Sequence, residues 1–229
     1  MAIVGLDLAG VETRPTGFCK LTGYKAETCI VFTDEQIMAK IRDVNSRLVA
    51  IDAPLSLPPG RASIEERTGS HLRPCDRELL KRGIRFFPIT IGPMRKLTKR
   101  GMNLRVVLEA EHFVAVEAYP GGAQDVLGIP RKQKGLNKLL TGLEDLGIEG
   151  LTSQMSDHEL DAVTIAYVGK LFLEHKAVVY GDDVDGIVMP QGEFNPKNKI
   201  LPDKEPRKNK SRLARVETGT VARKAEKNS

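Results

Sequence analysis

A chain of 229 residues, 41% of them hydrophobic, has room for one domain with a substantial core and for an insertion or a tail besides. No apolar run approaches the roughly 18–20 residues of a membrane span, and the N-terminus lacks a basic leader with a cleavage site, so neither a spanning segment nor a signal peptide is expected. Cys19, Cys29 and Cys75 are odd in number and outside Cys-x-x-Cys spacing, which speaks against a disulfide framework or a zinc site and fits reduced thiols in a cytoplasmic protein.

The formal charge of +5 is spread unevenly. Residues 54–105 carry 12 Lys and Arg against 4 Asp and Glu, and residues 191–229 carry 11 against 5, which leaves the rest of the chain at −9. An acidic body with two basic appendages suits a site that holds cations beside a surface that holds phosphates. A solvated insertion and a floppy tail would account for the same distribution.

In chain order, Ile3, Val4 and Leu6 make a short apolar strand ended by Asp7, with Gly5 and Gly10 leaving bare backbone on either side. Residues 17–22 and 25–32 read as two strands joined by a tight turn at Gly23, the second alternating with a period of two. Thr33 and Gln36 have capping-box spacing, and Ile37, Met38, Ile41 and Val44 follow at helical spacing, which predicts a helix over about 34–45. Leu48 to Asp52 is a second apolar strand ended by an acid, and Pro54 stops it.

An insertion rich in Pro, Gly and Arg runs from Pro54 to about Pro93, with a helix over 76–82 and Phe86, Phe87 and Pro88 as an anchor. A helix over 94–110 follows, and His112 to Tyr119 forms a third apolar strand with Glu117 near its end. Amphipathic stretches at 121–127 and 134–146 precede a second capping box, Ser156 with Glu159, which opens a helix reaching about His175. Val178 to Tyr180 and Gly186 to Met189 read as late edge strands, and beyond Pro190 the polar, basic sequence is expected to be disordered.

A hairpin meander followed by βαβ crossovers predicts an α/β fold over residues 1–190. Its mixed sheet would have the first strand at its centre, crossover strands parallel to it and helices on both faces, with the basic insertion (54–93) and tail (191–229) appended. Asp7, Asp52 and Glu117 then end three strands at one edge of the sheet, where ligand sites of α/β proteins gather. Strands about 4.8 Å apart bring such acids within reach of a shared cation, and carboxylates that close cannot all ionise freely without one.

The helix opening at Ser156 adds Asp157, His158 and Asp161. Asp157 has an ordinary explanation in the positive first turn of a helix. Asp161 sits past that turn beside Leu160 and Ala162, where a core-facing helix would take an apolar residue. His158, three residues earlier on the same face, makes with it a metal-ligand pair, although a lone first-turn histidine is ordinarily just solvent-exposed and imidazole suits transition metals better than magnesium.

The motifs GLDLAG, IDAPLSLPPG, RPCDRELLKRG with a following FFP, EAYP and HELDAVTIAY, in this order over about residues 1–190, resemble a family of predicted nucleases with an RNase H-like fold, a domain-of-unknown-function family. The HELD segment is also similar to the helix-borne His-x-x-Asp of some Holliday-junction resolvases that share the fold. The resemblance implies a metal site of Asp7, Asp52 and Asp161, with Glu117 or His158 as a further ligand. Two Mg²⁺ or Mn²⁺ about 4 Å apart would then drive phosphodiester hydrolysis, one activating water and the other stabilising the leaving oxygen. Glu117 departs from the simplest RNase H pattern, whose corresponding strand lies further from the centre. A structural acid bonded to backbone is its alternative.

In the insertion, Arg61, Arg67, Arg73, Arg77, Lys81, Arg82 and Arg85 are dense enough to contact several phosphates of a nucleic acid. Asp76 beside Arg73 and Arg77 reads equally as an internal ion pair, and Phe86 and Phe87 as stacking platforms or as core anchors. His71 and Cys75 are four apart, but no second pair completes a zinc site.

A metal-dependent nuclease is the leading expectation, and a junction-cutting one would work as a homodimer. A non-catalytic nucleic-acid-binding protein on the same fold is the alternative. The likeness of GLDLAG to the first phosphate loop of actin-like and sugar-kinase proteins would imply a phosphotransferase. Those proteins need a second phosphate loop and a second comparable domain, for which this chain has no room.

Overall fold

The computed structural model describes residues 1–192 apart from 45, 67, 183 and 184, so Arg67 and the expected disorder of the tail beyond 192 lie outside the described residues. Strands β1 (Ala2–Asp7), β2 (Thr16–Thr22) and β3 (Lys25–Val31) form an antiparallel meander. Gly23 takes the left-handed φ of +63° that the tight β2–β3 turn requires. The first capping box forms as expected: Gln36 N–H donates to Thr33 Oγ1 at 3.1 Å and opens α1 (Asp34–Val44).

Strand β4 (Leu48–Ile51) returns parallel to β1, and β5 (Val114–Ala118) parallel to β4, so the C-terminal ends of β1, β4 and β5 share one sheet edge. The last strands, β6 (Ala177–Tyr180) and β7 (Ile187–Pro190), complete a seven-stranded sheet of order β3-β2-β1-β4-β5-β7-β6. This is the expected mixed sheet, with β1 in its interior. One detail differs: of the two late strands only β6 lies at an edge of the sheet, whereas β7 lies between β5 and β6. The reason is that Ile187, Val188 and Met189 are apolar on both faces and are covered on both, Val188 beneath the long C-terminal helix and its two neighbours against the insertion.

Helices cover both faces. Val4, Leu6, Val49, Ile51 and Ala115 pack against α1 and against Leu104 and Leu108 of α3 (Gly92–Ala110). On the other face Ile3, Leu48, Ala50, Val114 and Val116 meet Ile165, Val168 and Phe172 of α6 (Asp157–Leu173), a helix buried nearly all round from Leu160 to Phe172. Helices α4 (Pro120–Leu127) and α5 (Leu136–Asp145) flank it. In the basic segment, α2 (Pro74–Lys81) seats Cys75 and Leu79 on Val178, Tyr180, Ile187 and Met189, tying that segment to the far side of the sheet.

Two glycines set how closely α6 can lie on the meander. A Cβ on Gly5 would stand 2.3 Å from the Ala162 carbonyl oxygen, and one on Gly17 would stand 2.0 Å from that of His158. Only glycine fits at either place, and the first turns of α6 therefore rest directly on β1 and β2 beside Asp7.

Candidate active site

Asp7 ends β1 on the face that carries Ile3 and Gly5, the α6 face. Asp52 follows β4 by one residue on the same face as Leu48 and Ala50, and its N–H extends the parallel ladder by donating to Leu6 O at 2.8 Å, which holds it next to Asp7. The third contributor is the start of α6. Ser156 and Glu159 form the expected reciprocal cap, and Thr28 Oγ1 donates to Glu159 at 2.8 Å, which fixes the helix start to β3.

From that fixed turn His158 Nδ1 donates to Asp7 Oδ2 at 2.6 Å. Asp161, 4% exposed, accepts from Gln124 Nε2 on Oδ1 at 2.8 Å and from Lys132 Nζ on Oδ2 at 2.9 Å. Lys132, in a 3-10 turn over Lys132–Lys134, reaches Asp157 Oδ2 at 2.9 Å with the same ammonium. The structure thus brings Asp7, Asp52, His158 and Asp161 together at one sheet edge.

Their electrostatics are unequal. Among the described residues, none donates a hydrogen bond to the half-buried Asp52 side chain. Burial first, then the charges of Asp7 and Asp161, and least Glu117, push its carboxyl well above the ordinary range, against the pull of Lys132. Asp161 is also raised by burial, with Lys132 and Gln124 opposing. The hydrogen bond to Asp7 raises His158 despite its partial burial. Lys132 is raised too, since Asp161 and Asp157 outweigh the cost of burying its ammonium. Among the described residues, no group of three or more His, Cys, Asp or Glu side chains stands ready to hold an ion in this arrangement.

Glu117 does not join them. Val114, Val116 and Ala118 of β5 lie under α6, so strand alternation turns Glu117 to the opposite face. There Arg73 donates Nη1 and Nη2 to its two oxygens at 2.7 and 2.8 Å, and the Leu55 N–H adds a third bond at 2.8 Å. Arg73 also holds Asp76 through Nε and Nη2, at 3.2 and 2.9 Å. The expected ligand role of Glu117 is corrected accordingly: both oxygens are occupied on the wrong face, in a buried ion pair.

The basic segment divides in the same way. Arg73 is spent on Glu117 and Asp76, and Arg61 is buried with its donors on the Ser70 and Glu66 carbonyls, which corrects the expectation that either contacts phosphate. Arg82 lies over the Tyr180 ring, 4.5 Å from its centroid. Arg77, Lys81 and Arg85 are exposed. Phe86 packs with Cys75 and Leu79 as an anchor, whereas Phe87 is 74% exposed. Both border a cavity of about 180 Å³ that reaches Asp52, Glu117 and Tyr119.

Two members of the site escaped the sequence. Gln124 is, with Asp125, one of two polar positions in a short and otherwise apolar helix, a faint signal, whereas Lys132 stands in the run RKQK, which reads as solvated loop.

Among solved structures the chain is similar to Thermus thermophilus RuvC in complex with a Holliday junction substrate, with TM-score 0.47 and 13% identity, covering 76% of this chain and 96% of that one. A second Thermus thermophilus RuvC structure is similar at TM-score 0.41 and 12% identity, with the same coverage. No curated protein matches the sequence. No helix among the described residues is long and apolar enough to cross a membrane. The family model described as protein of unknown function (DUF429) matches residues 5–185, and the chain belongs to that family.

Proposed function

We propose that this protein hydrolyses phosphodiester bonds of nucleic acid with Mg²⁺ or Mn²⁺ held by Asp7, Asp52 and Asp161, with His158 as a further ligand. The observation that carries the reading is Asp52: a carboxylate that receives no hydrogen bond among the described residues and lies in the field of Asp7 and Asp161, opposed by the charge of Lys132 alone among the causes of its shift. Hard oxygen donors of this kind suit Mg²⁺ and Mn²⁺. When bound, the ions would supply an activated water and stabilise charge at the leaving oxygen.

The chain's own residues supply the placement. Gly5 and Gly17 let α6 approach, Gln124 orients Asp161, and the Ser156–Glu159–Thr28 cap fixes the helix turn that carries His158. Arg77, Lys81 and Arg85 stay at the surface to meet phosphates, and exposed Phe87 offers a face to an unstacked base beside the cavity.

The test is cleavage of labelled single-stranded DNA, duplex DNA, four-way junctions and RNA in Mn²⁺ and in Mg²⁺, with wild type, Asp7→Asn and Asp52→Asn. Wild type should cut at least one substrate in a metal-dependent way, and both variants should lose more than about 100-fold in rate while keeping the wild-type circular dichroism spectrum. Cleavage by Asp52→Asn at the wild-type rate would overturn the assignment. Salt-sensitive binding with no cleavage, unchanged in both variants, would leave a nucleic-acid-binding protein instead.

A further inference from the structure

The acidic cluster already contains a cation of the protein's own. Lys132 Nζ lies 2.9 Å from Asp161 Oδ2 and 2.9 Å from Asp157 Oδ2, while Gln124 occupies Asp161 Oδ1. Both Asp161 oxygens are thus engaged, and an incoming ion must displace one of these partners to reach them. We propose that Lys132 is a built-in counter-ion that competes with the divalent metal for Asp161, so that the site loads only when its ammonium swings away. The inference rests on the reading of Asp7, Asp52 and Asp161 as metal ligands.

The surroundings suit a displaceable cation better than a fixed structural pair. Arg73, the cation that neutralises Glu117, has a side chain 3% exposed and is bonded to two carboxylates in forked geometry, whereas the Lys132 side chain is 29% exposed and ends in a point charge on a flexible four-carbon stem. The turn that carries Lys132 is itself held. Arg131 pairs with Asp125 and lies over the Tyr119 ring, 5.7 Å from its centroid, so the ammonium can leave the cluster while its backbone stays in place.

Charge supplies the driving force in both directions. Among the described residues, the cationic groups within hydrogen-bonding reach of this cluster are Lys132, on Asp157 and Asp161, and the His158 imidazole, on Asp7. Without metal the ammonium limits the repulsion among these acids. With metal it becomes surplus, and a phosphate entering the site gives it a new partner.

Calorimetric titration of MnCl₂ into wild type, Lys132→Met, Lys132→Gln and Lys134→Met tests the inference. Lys134 carries the same charge two residues away, is exposed, and serves as the control for a general field effect. Removing the competitor should tighten Mn²⁺ binding about tenfold in Lys132→Met and in Lys132→Gln, with Lys134→Met within about twofold of wild type. Equal or weaker binding in both Lys132 variants, in protein with the wild-type circular dichroism spectrum, would overturn the proposal while leaving the metal site standing. Equal tightening in Lys134→Met would overturn it as well, by reducing the effect to net charge. Should Mn²⁺ bind neither wild type nor any variant, the metal reading itself fails and the counter-ion role falls with it.

Discussion

Glu117 and Asp52 stand almost side by side at the same sheet edge, since Glu117 pairs in register with Ile51, the residue before Asp52. Asp52 follows an apolar strand and is half-buried, whereas Glu117 is the penultimate residue of another and is buried. Strand alternation points them to opposite faces, and there the protein treats them differently. Glu117 receives three hydrogen bonds, two of them from a guanidinium that is itself buried. Asp52 receives none from the described residues and lies in the field of Asp7 and Asp161. A buried charge that the chain neutralises from within serves the fold, and under the proposed function the carboxylate left among other acids is the one that takes an ion.

The largest effect should come from breaking the compensated side. Arg73→Met removes the counter-charge of two buried acids, Glu117 and Asp76, and is expected to cost about 3–5 kcal/mol and to lower the melting temperature by roughly 10 °C or more. Adding Glu117→Gln should return part of that loss, because the remaining amide costs less to bury than an unpaired carboxylate. Thermal denaturation followed by circular dichroism reads both. A single variant melting within about 2 °C of wild type would show that Arg73 is no counter-ion in solution.

The opposite substitution at the opposite carboxylate should stabilise. Burial and the nearby acids disfavour the ionised Asp52, so the neutral isostere Asp52→Asn removes a cost that wild type bears at neutral pH. A gain of about 1 kcal/mol, or about 2–4 °C in melting temperature, is expected without metal. The same variant should lose the further rise that Mn²⁺ gives wild type by binding only the folded state. A lower melting temperature for Asp52→Asn would mean that Asp52 is compensated after all, and the contrast with Glu117 would collapse.

Much of this arrangement was legible in the sequence, and the parts that were not share a physical cause. Strand ends marked by Asp7 and Asp52, and the capping box of Ser156 and Glu159, are local signals that place a strand or a helix whatever surrounds it. The direction of Glu117 is not local. In HFVAVEAY both faces of the strand are buried, so the alternation that would reveal which way an acid points is absent. The fates of Arg61 and Arg73 were hidden for a related reason. A run of basic residues records charge but not which guanidinium turns inward, and Arg73 turns inward because Glu117 waits on a strand 44 residues later. Lys132 was hidden most completely, since its partners lie on α6, 25 and 29 residues on, and meet it only when the α4–α5 connection folds back over that helix.

The smallest effect is a pH dependence, and its sign follows from the uncompensated side. His158 is raised by its bond to Asp7, so its contribution is complete below the ordinary imidazole value and is lost as pH rises through the raised one. Asp52 and Asp161 are raised acids, so the folded state holds their protons longer than the unfolded chain does, and their ionisation costs stability as pH rises above the ordinary carboxylate range. All three slopes have the same direction. Metal-free wild type should therefore lose melting temperature steadily between about pH 5 and 8. Asp7→Asn, which removes both the imidazolium's partner and one of the charges that raise Asp52 and Asp161, should flatten the curve. Saturating Mn²⁺ should flatten it too, since a bound divalent ion holds the carboxylates ionised in the folded state and so removes their proton linkage. An Asp7→Asn curve as steep as that of wild type would show that neither the His158 imidazolium nor the raised acids set the slope.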